Sequence, residues 1–538
     1  MKKIIVELSD QKWRSLPESE LHMRGAAFAG DTLHRSPDSL YPQLPQSLLD
    51  VAAWSEALSR LNGFFAIVRQ GGQGAVAVVD RIRSIPLFYG QRGDSIFIGD
   101  DAEWARLQVG DREMDPVARD EFQLTGFVTG NQTLYPNVKQ LQAGELLIVD
   151  GTKTVPALRT HSYFRLVHQE PDLYTETVLA QQLERHADAA IQRLVQYADG
   201  RQIAIPLSGG YDSRLIASLL AKYGYENVIA FTYGIKGNKE ANYSRKVARA
   251  LNIPWRFVEY SERCWRDAWN TQERHDYQKW ASGWSSLPHV QDWVAVRTLK
   301  KNGTIGNDAV FVPGHTCVRR HTGVPEEARD SWKASTSGLI EYIRSQHYTR
   351  SAGKTGPDAG RDIWKTRIAG TGEMGTIASA VEFASMCEKW EWRERQVKFI
   401  CNSVRVYEFF GYDWWLPLWD ADFIRFWQGV PLELRMGRHW YNEYVKHLYA
   451  SQTGIDVHES LDNAEDAVGL ERLMRMFIAQ FFPGAKDHLR KLRQTVLPKA
   501  VPNGYVVSHF PTVEKRRLQR DGYHMNGMLV HEFLQRHG

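Results

Sequence analysis

The stretch IAIPLSGGYDSRLIASLLAKYGYENVIAFTYG, Ile203 to Gly234, decides how this chain folds. An apolar run meets Ser208, Gly209 and Gly210, and a helical apolar pattern follows at once. Ile203–Leu207 reads as a buried strand, Ser213–Tyr223 as a helix ended by Gly224, and Val228–Tyr233 as the next strand. The two glycines allow positive φ and let another group come close to the main chain. A helix that opens near Asp212 or Ser213 offers unpaired N–H groups and a partial positive charge. Such a junction is ready to hold phosphate. A tight turn capped by Asp212 or Ser213 explains the same residues without any ligand.

The surrounding pattern favours phosphate. Residues 239–252 continue as a helix and 255–260 as a third strand, so the segment alternates strand and helix. That alternation gives a parallel sheet with ligands at the carboxyl ends of its strands, where Ser208–Ser213 and Phe231–Gly234 both lie. Upstream, residues 173–198 read as a long helix. Residues 1–165 are β-rich, with strands at 63–68, 74–80, 95–100 and 144–150 between Gly, Asp and Asn turns. Beyond about 262 the chain turns helical and aromatic. The polar, Gly-rich segment 321–375 reads as a lid with Gly353, Gly356 and Gly360 as hinge points, or as a surface excursion with no role. Its "GKT" at 353–355 is not a Walker loop, because Tyr348 stands where that motif needs glycine.

Composition excludes several classes. The 538 residues carry 67 basic and 63 acidic side chains, a net charge of +4, which argues for neither a nucleic-acid nor a membrane surface. No run of about 18 apolar residues occurs, and only three consecutive apolar residues precede Glu7, too few for a signal-peptide core. Cys264, Cys317, Cys387 and Cys401 form no CxxC pair, fitting neither a disulfide framework nor a zinc site. A cytoplasmic location is expected. The 18 tryptophans, several in 255–300 and 389–440, read as core.

The motif "LSGGYDS" (207–213) resembles the pyrophosphate loop of enzymes that cleave ATP between its α and β phosphates. The chain as a whole is similar to the asparagine synthetase family. "LNGFFAIV" (61–68), "DRIRSIPLFYG" (80–90) and "LYPNVKQLQAGELLIV" (134–149) resemble its glutaminase domain. "FTYG" (231–234), "VPGH" (312–315) and "GYDWWLPLWD" (411–420) resemble its synthetase domain. The resemblance implies an Ntn-hydrolase-like β-sandwich over 1–168. It implies an adenine-nucleotide α-hydrolase (PP-loop) parallel-sheet domain with a helical C-terminal part over 169–538.

Departures from the family are equally informative. Its glutamine-hydrolysing members begin with a cysteine whose free amine is the base, whereas this chain begins Met1-Lys2-Lys3 and lacks the Asn-Gly-Glu stretch that holds glutamine. The first domain is therefore expected to be a glutaminase relic. Val318 stands where the family carries an Asp near magnesium. Asp413 and Trp415 replace a Glu and an Arg, as if the carboxylate pocket had changed. The family's catalytic lysine has three candidates here, Lys446, Lys491 and Lys499.

The resemblance implies ATP and Mg2+ as cofactors, with an acyl-adenylate forming as pyrophosphate leaves and an amine then attacking. Ser208, Gly209, Gly210 and Ser213 would cradle pyrophosphate, and Asp212 would hold the metal. Leu207, Tyr211, Phe231 and Tyr233 would border the nucleotide, Pro313 and Gly314 would approach it, and His315 would face the reacting carboxylate. Ser285, Ser286 and Asp292 are further candidates in the acceptor pocket. The wording of the motifs looks most like members associated with surface polysaccharides. The expected acceptor is therefore a carboxylated sugar or another small molecule, with ammonia or a substrate amine as nucleophile. An intramolecular cyclase of the β-lactam or lasso-peptide type and a non-catalytic nucleotide-binding relative are the alternatives, and a homodimer is left open.

Overall fold

The computed structural model describes residues 3–153, 155–319, 321–324, 335–350, 361–371, 375–455, 510, 512–521 and 523–537. Its amino-terminal part is built on two sheets. The larger runs in the order Ala157–Ser162, Glu145–Asp150, Gly74–Val79, Leu61–Gly71, Leu21–Ala29 and Arg14–Leu16, with Thr32–His34 also paired to Leu21–Ala29. The smaller runs Lys3–Glu7, Ser95–Gly99, Phe88–Arg92 and Val138–Gln140. All four strands expected here from the sequence are present.

Alternation along the strands explains the layering. Ala66, Val68, Ala77, Val79, Leu147 and Val149 meet Ile96 and Ile98 of the small sheet. Their neighbours Phe65, Ile67, Val76, Val78, Leu146 and Ile148 pack on the other face against Trp54 and Leu58 of helix Val51–Arg60. Successive side chains point to opposite faces of a strand, so these nearly all-apolar strands need cover on both sides, and each face has it.

The second part centres on five parallel strands in the order Trp255–Glu259, Val228–Gly234, Ile203–Pro206, Val310–Phe311 and Asp413–Trp414. The first three follow the sequence reading. The last two, of two residues each, are too short to show any periodicity. The chain moves outward from Ile203–Pro206 in one direction, then crosses to add strands on the other side. Helix Tyr211–Lys222 is buried nearly all round, as a crossover in such a sheet must be. Trp265, Trp269 and Trp293 are fully buried core. Among the described residues no helix is long and apolar enough to cross a membrane.

Asp420 joins the two parts. Its carboxylate accepts Arg193 Nε and Nη2, both at 2.7 Å, from the long helix Glu176–Ala198. It also accepts Asn62 Nδ2 of the large sheet at 3.1 Å. The main-chain N–H groups of Asp422 and Phe423 donate to it as well, so it caps helix Ala421–Gln428. Removing one partner of a buried charged network leaves the others unsatisfied. Asp420→Ala should cost about 3 kcal/mol, read as a lowered urea midpoint. An unchanged midpoint would show that Asp420 is not the joint.

Candidate functional site

Strand Ile203–Pro206 is hydrogen-bonded on both sides, and the loops leaving its end and that of Val310–Phe311 part in opposite directions. Open α/β sheets hold their ligands at such a switch point. The first loop is internally bonded. Ser208 N donates to Ser213 Oγ at 3.2 Å, the two hydroxyls lie 3.1 Å apart, and Gly210 N donates to Ser208 Oγ at 3.1 Å. Gly210 has φ −85° and ψ 176°, so the positive φ expected of this glycine is not used.

The second loop touches the first. A Cβ on Gly314 would lie 2.8 Å from Ser213 N and 3.2 Å from Ser213 Cα. Real Cβ atoms do not come that close, so only glycine fits. The sequence reading had Gly314 admit a nucleotide; what it admits is the backbone of the neighbouring loop.

Asp212, on the first turn of helix Tyr211–Lys222, faces a partner the sequence did not reveal. Its Oδ1 accepts Tyr441 Oη at 2.9 Å and also Arg438 Nη2. Arg438 stands at the start of helix His439–Thr453 in a left-handed conformation, φ 64°, directly after Gly437 at φ 63°. Of the three lysine candidates, Lys446 pairs with Glu443 at 2.8 Å and lies over the Tyr211 ring, outside the cavity. Lys491 and Lys499 lie outside the described residues. Asp212 Oδ2 accepts no hydrogen bond from the described residues, and no cluster of three or more metal-ligating side chains occurs among them. Asp212 thus offers one oxygen, enough for Mg2+ when phosphate and water supply the rest.

Beside Asp212 opens a cavity of about 730 Å³. The 314–319 loop contributes Gly314, His315, Thr316, Val318 and Arg319 to it, and helix Thr336–His347 contributes Tyr342, Gln346 and His347. That helix overturns part of the expected lid, because Leu339 and Ile343 are fully buried beside Leu124 and Phe127 of the first domain. Segment 336–347 is a fixed wall. The proposed hinges Gly353, Gly356 and Gly360 lie outside the described residues.

The third wall is a π-helix, Glu391–Ile400, which presents Glu391, Arg395, Gln396 and Ile400. Helices of this kind are rare and concentrate at functional sites. Its other face is bolted to the first domain. Lys398 Nζ donates to Gly130 O at 2.6 Å and to Val128 O at 3.2 Å, and pairs with Glu394, which accepts Gly130 N at 2.9 Å. Trp392 Nε1 donates to Arg81 O at 2.9 Å. Burial would raise the Glu391 pKa, but Arg319, seconded by His347, outweighs it and holds the carboxyl at about 2.

Other expected residues fall elsewhere. Leu207, Tyr211 and Phe231 are buried core at 1 % exposure or less, and Pro313 is buried too. The strand and helix that carry them need those apolar side chains to cover the sheet. Tyr233 is half-buried and stacks on Tyr260, with centroids 5.2 Å apart. Ser285 and Ser286 are buried at the seam with the first domain, where Ser285 O accepts Val128 N and Ser286 bridges to Phe127. Asp292 accepts Tyr407 Oη at 2.8 Å beneath the site. Asp413 holds Lys12 and Arg201, and Trp415 stacks on Tyr197 at 4.3 Å, so neither shapes this cavity. Val318 does line it, apolar where a carboxylate was expected.

Two family models match parts of the chain. Residues 49–164, which include four strands of the large sheet, match the glutamine amidotransferase domain, and residues 183–271, which include the 207–213 loop, match asparagine synthase. No curated protein matches the chain. Among solved structures, the chain is 19% identical to an NH3-dependent NAD synthetase from Campylobacter jejuni, over 28% of this chain and 62% of that one, with a TM-score of 0.19. It is 12% identical to an allosteric regulatory enzyme of purine biosynthesis, over 58% of this chain and 57% of that one, with a TM-score of 0.17. It is 10% identical to a glutamine phosphoribosylpyrophosphate amidotransferase from B. subtilis, over 57% of this chain and 64% of that one, again with a TM-score of 0.17. The chain thus spans less than two thirds of each of these structures, and likeness at this level identifies neither activity nor substrate.

His315 carries the site's sharpest electrostatic signature. Its Nε2 lies 3.4 Å from Ser403 Oγ, and its Nδ1 is buried without a partner. Burial, aided by the positive charge His289 can carry, pushes its pKa down to about 3, so the ring is neutral at physiological pH. The unfolded chain binds that proton below about 6.5, the folded chain only near 3, so stability falls as pH drops between them. From pH 7 to pH 4.5 the loss should be about 2.5 kcal/mol. His315→Gln should remove it, flattening the fall in denaturation midpoint from pH 7 to 4.5. Parallel pH profiles for the two proteins would contradict the assignment.

Proposed function

We propose that the chain forms amide bonds at the expense of ATP, through an acyl-adenylate. Residues 169–538 act as the synthetase-like domain, and residues 1–168 form a glutaminase-like domain without that activity. One observation carries this reading. The hydroxyl-lined loop at a helix N-terminus meets Gly314 at the sheet's switch point, with Asp212 at the mouth of a polar cavity large enough for an acceptor. The match of residues 183–271 to asparagine synthase and the LSGGYDS motif support it.

In this reading the hydroxyls of Ser208 and Ser213 and the N–H of Gly210 exchange their mutual bonds for phosphate oxygens. Asp212 Oδ2 would hold Mg2+, whose chemistry there would be to neutralise phosphate charge. Arg438 fixes the Asp212 carboxylate in place. His315, neutral, offers its unpartnered Nδ1 to the reacting groups as a hydrogen-bonding atom without adding charge. Thr316, Gln346 and Gln396 suit a hydroxylated acceptor, in keeping with a carboxylated sugar of the surface-polysaccharide type. All four cysteines are free thiols, in keeping with a reducing compartment such as the cytoplasm.

Asp212→Asn is the decisive variant, since its amide oxygen still accepts from Arg438 and Tyr441 while the charge is gone. ATP–pyrophosphate exchange, screened over candidate acids, should fall at least 100-fold, the several kcal/mol a metal-bridging carboxylate supplies. Exchange at the wild-type rate would refute the assignment.

The nitrogen source follows from the thiols. None of the four cysteines lies in 49–164, and burial pushes the Cys387 thiol up to about 12 and raises Cys317 and Cys401 as well. A nucleophilic cysteine needs its thiolate. Glutamine should therefore yield no glutamate above background, while ammonia or an amine supports product. Steady glutamate release by the purified chain would overturn this.

A further inference from the structure

We propose that Arg395 is the anion subsite of the acceptor pocket, and that the acceptor is an acid carrying no ammonium group. This rests on the reading above and adds the acceptor's charge. Among the described residues the cavity is lined by two carboxylates; Glu391 is fully engaged, and Asp212 keeps only Oδ2, which the reading above gives to Mg2+. Asp212 is held by Arg438 and Tyr441, and Glu391 by Arg319 and by His347 at 3.1 Å. Arg395, one turn after Glu391 on the π-helix, has no hydrogen-bond or ion-pair partner among the described residues. Arg319 spends Nη2 on Glu391, while its Nη1 is buried with no partner.

Counting Arg438, which pairs with Asp212 from outside the lining, three guanidiniums meet two carboxylates among the described residues, and Arg395 is the one left over. Burial lowers the Arg395 pKa, Glu391 partly restores it, and Arg319 lowers it again. A guanidinium remains charged through such shifts, so an entering anion relieves both the desolvation and the repulsion. His315 is neutral and competes for no anion. An ammonium would meet the opposite situation: an unpaired guanidinium nearby, Glu391 already paired, and Asp212 Oδ2 given to the metal. That charge pattern rejects α-amino acids and favours acids whose remaining groups are hydroxyls, which Thr316, Gln346 and Gln396 can bind.

The same guanidinium chemistry would also suit a phosphate of the nucleotide, so the test separates the two. The full chain is titrated calorimetrically, without ATP, with glucuronate, galacturonate and succinate, with 2-amino-2-deoxyglucuronate and aspartate as amino counterparts, and with inorganic pyrophosphate. At least one acid should bind tenfold more tightly than its amino counterpart. Arg395→Gln should weaken that acid at least tenfold, Arg395→Lys should retain most of the affinity, and pyrophosphate should change less than threefold in both. The subsite is overturned if no acid binds, if amino counterparts bind equally well, if Arg395→Gln keeps the affinity, or if pyrophosphate is the ligand that weakens. Thermal midpoints of the variants confirm folding, and Arg395→Met takes the place of Arg395→Gln, with the same tenfold criterion, if Arg395→Gln unfolds. Exchange assays fail independently: acid binding without ATP–pyrophosphate exchange refutes the ligase reading and leaves the subsite standing.

Discussion

Strand Ile203–Pro206 is held on both sides by parallel partners, the loop that follows it diverges from the loop after Val310–Phe311, and the rest of the molecule is arranged around that split. A parallel sheet buried under helices exposes little main chain except at its strand ends. Here the gap between the diverging loops is closed to contact by Gly314 against Ser213. A side chain at 314 would push the two loops apart and move Asp212 with the helix that carries it. The glycine therefore sets the distance between the 207–213 loop and the cavity wall.

The far wall depends on the first domain. Glu394 and Lys398 are both at 1 % exposure or less, and together they satisfy the main chain at Val128 and Gly130. A buried pair of this kind adds little net stability, because desolvation of two ions consumes most of the attraction. It does specify register, since any slip of the π-helix strands a charge. Fixing that face fixes the opposite one, where Glu391 and Arg395 look into the cavity. The first domain thus shapes the pocket by holding one of its walls.

Legibility of the sequence followed the range of the interactions involved. The strand–helix–strand unit at 203–260 was readable because its periodicities are local, and so were the strands of the large sheet. The two-residue strands at Val310 and Asp413 exist only through neighbours far along the chain. Segment 336–347 looked like loop because its polar residues mask Leu339 and Ile343, which are buried only against Leu124 and Phe127. The family resemblance places Leu207, Tyr211 and Phe231 against the nucleotide, while covering the sheet by itself explains their burial. Arg438 was missed for the reverse reason: it arrives 226 residues after Asp212 with no motif of its own.

Arg438 also shows how the site is held in shape. A non-glycine residue in the left-handed region costs on the order of 1 kcal/mol, and Gly437 before it takes the same turn without that cost. The turn swings the guanidinium back onto Asp212 while helix His439–Thr453 delivers Tyr441 to the same oxygen. Two donors on Oδ1 orient the carboxylate and leave Oδ2 directed elsewhere. Ser208 and Ser213 do the equivalent for the loop, each hydroxyl satisfied by the other. Groups preset in this way need little reorganisation when charge develops beside them, and that is the main electrostatic advantage a protein has over water. The strain at Arg438 is the local cost of that arrangement.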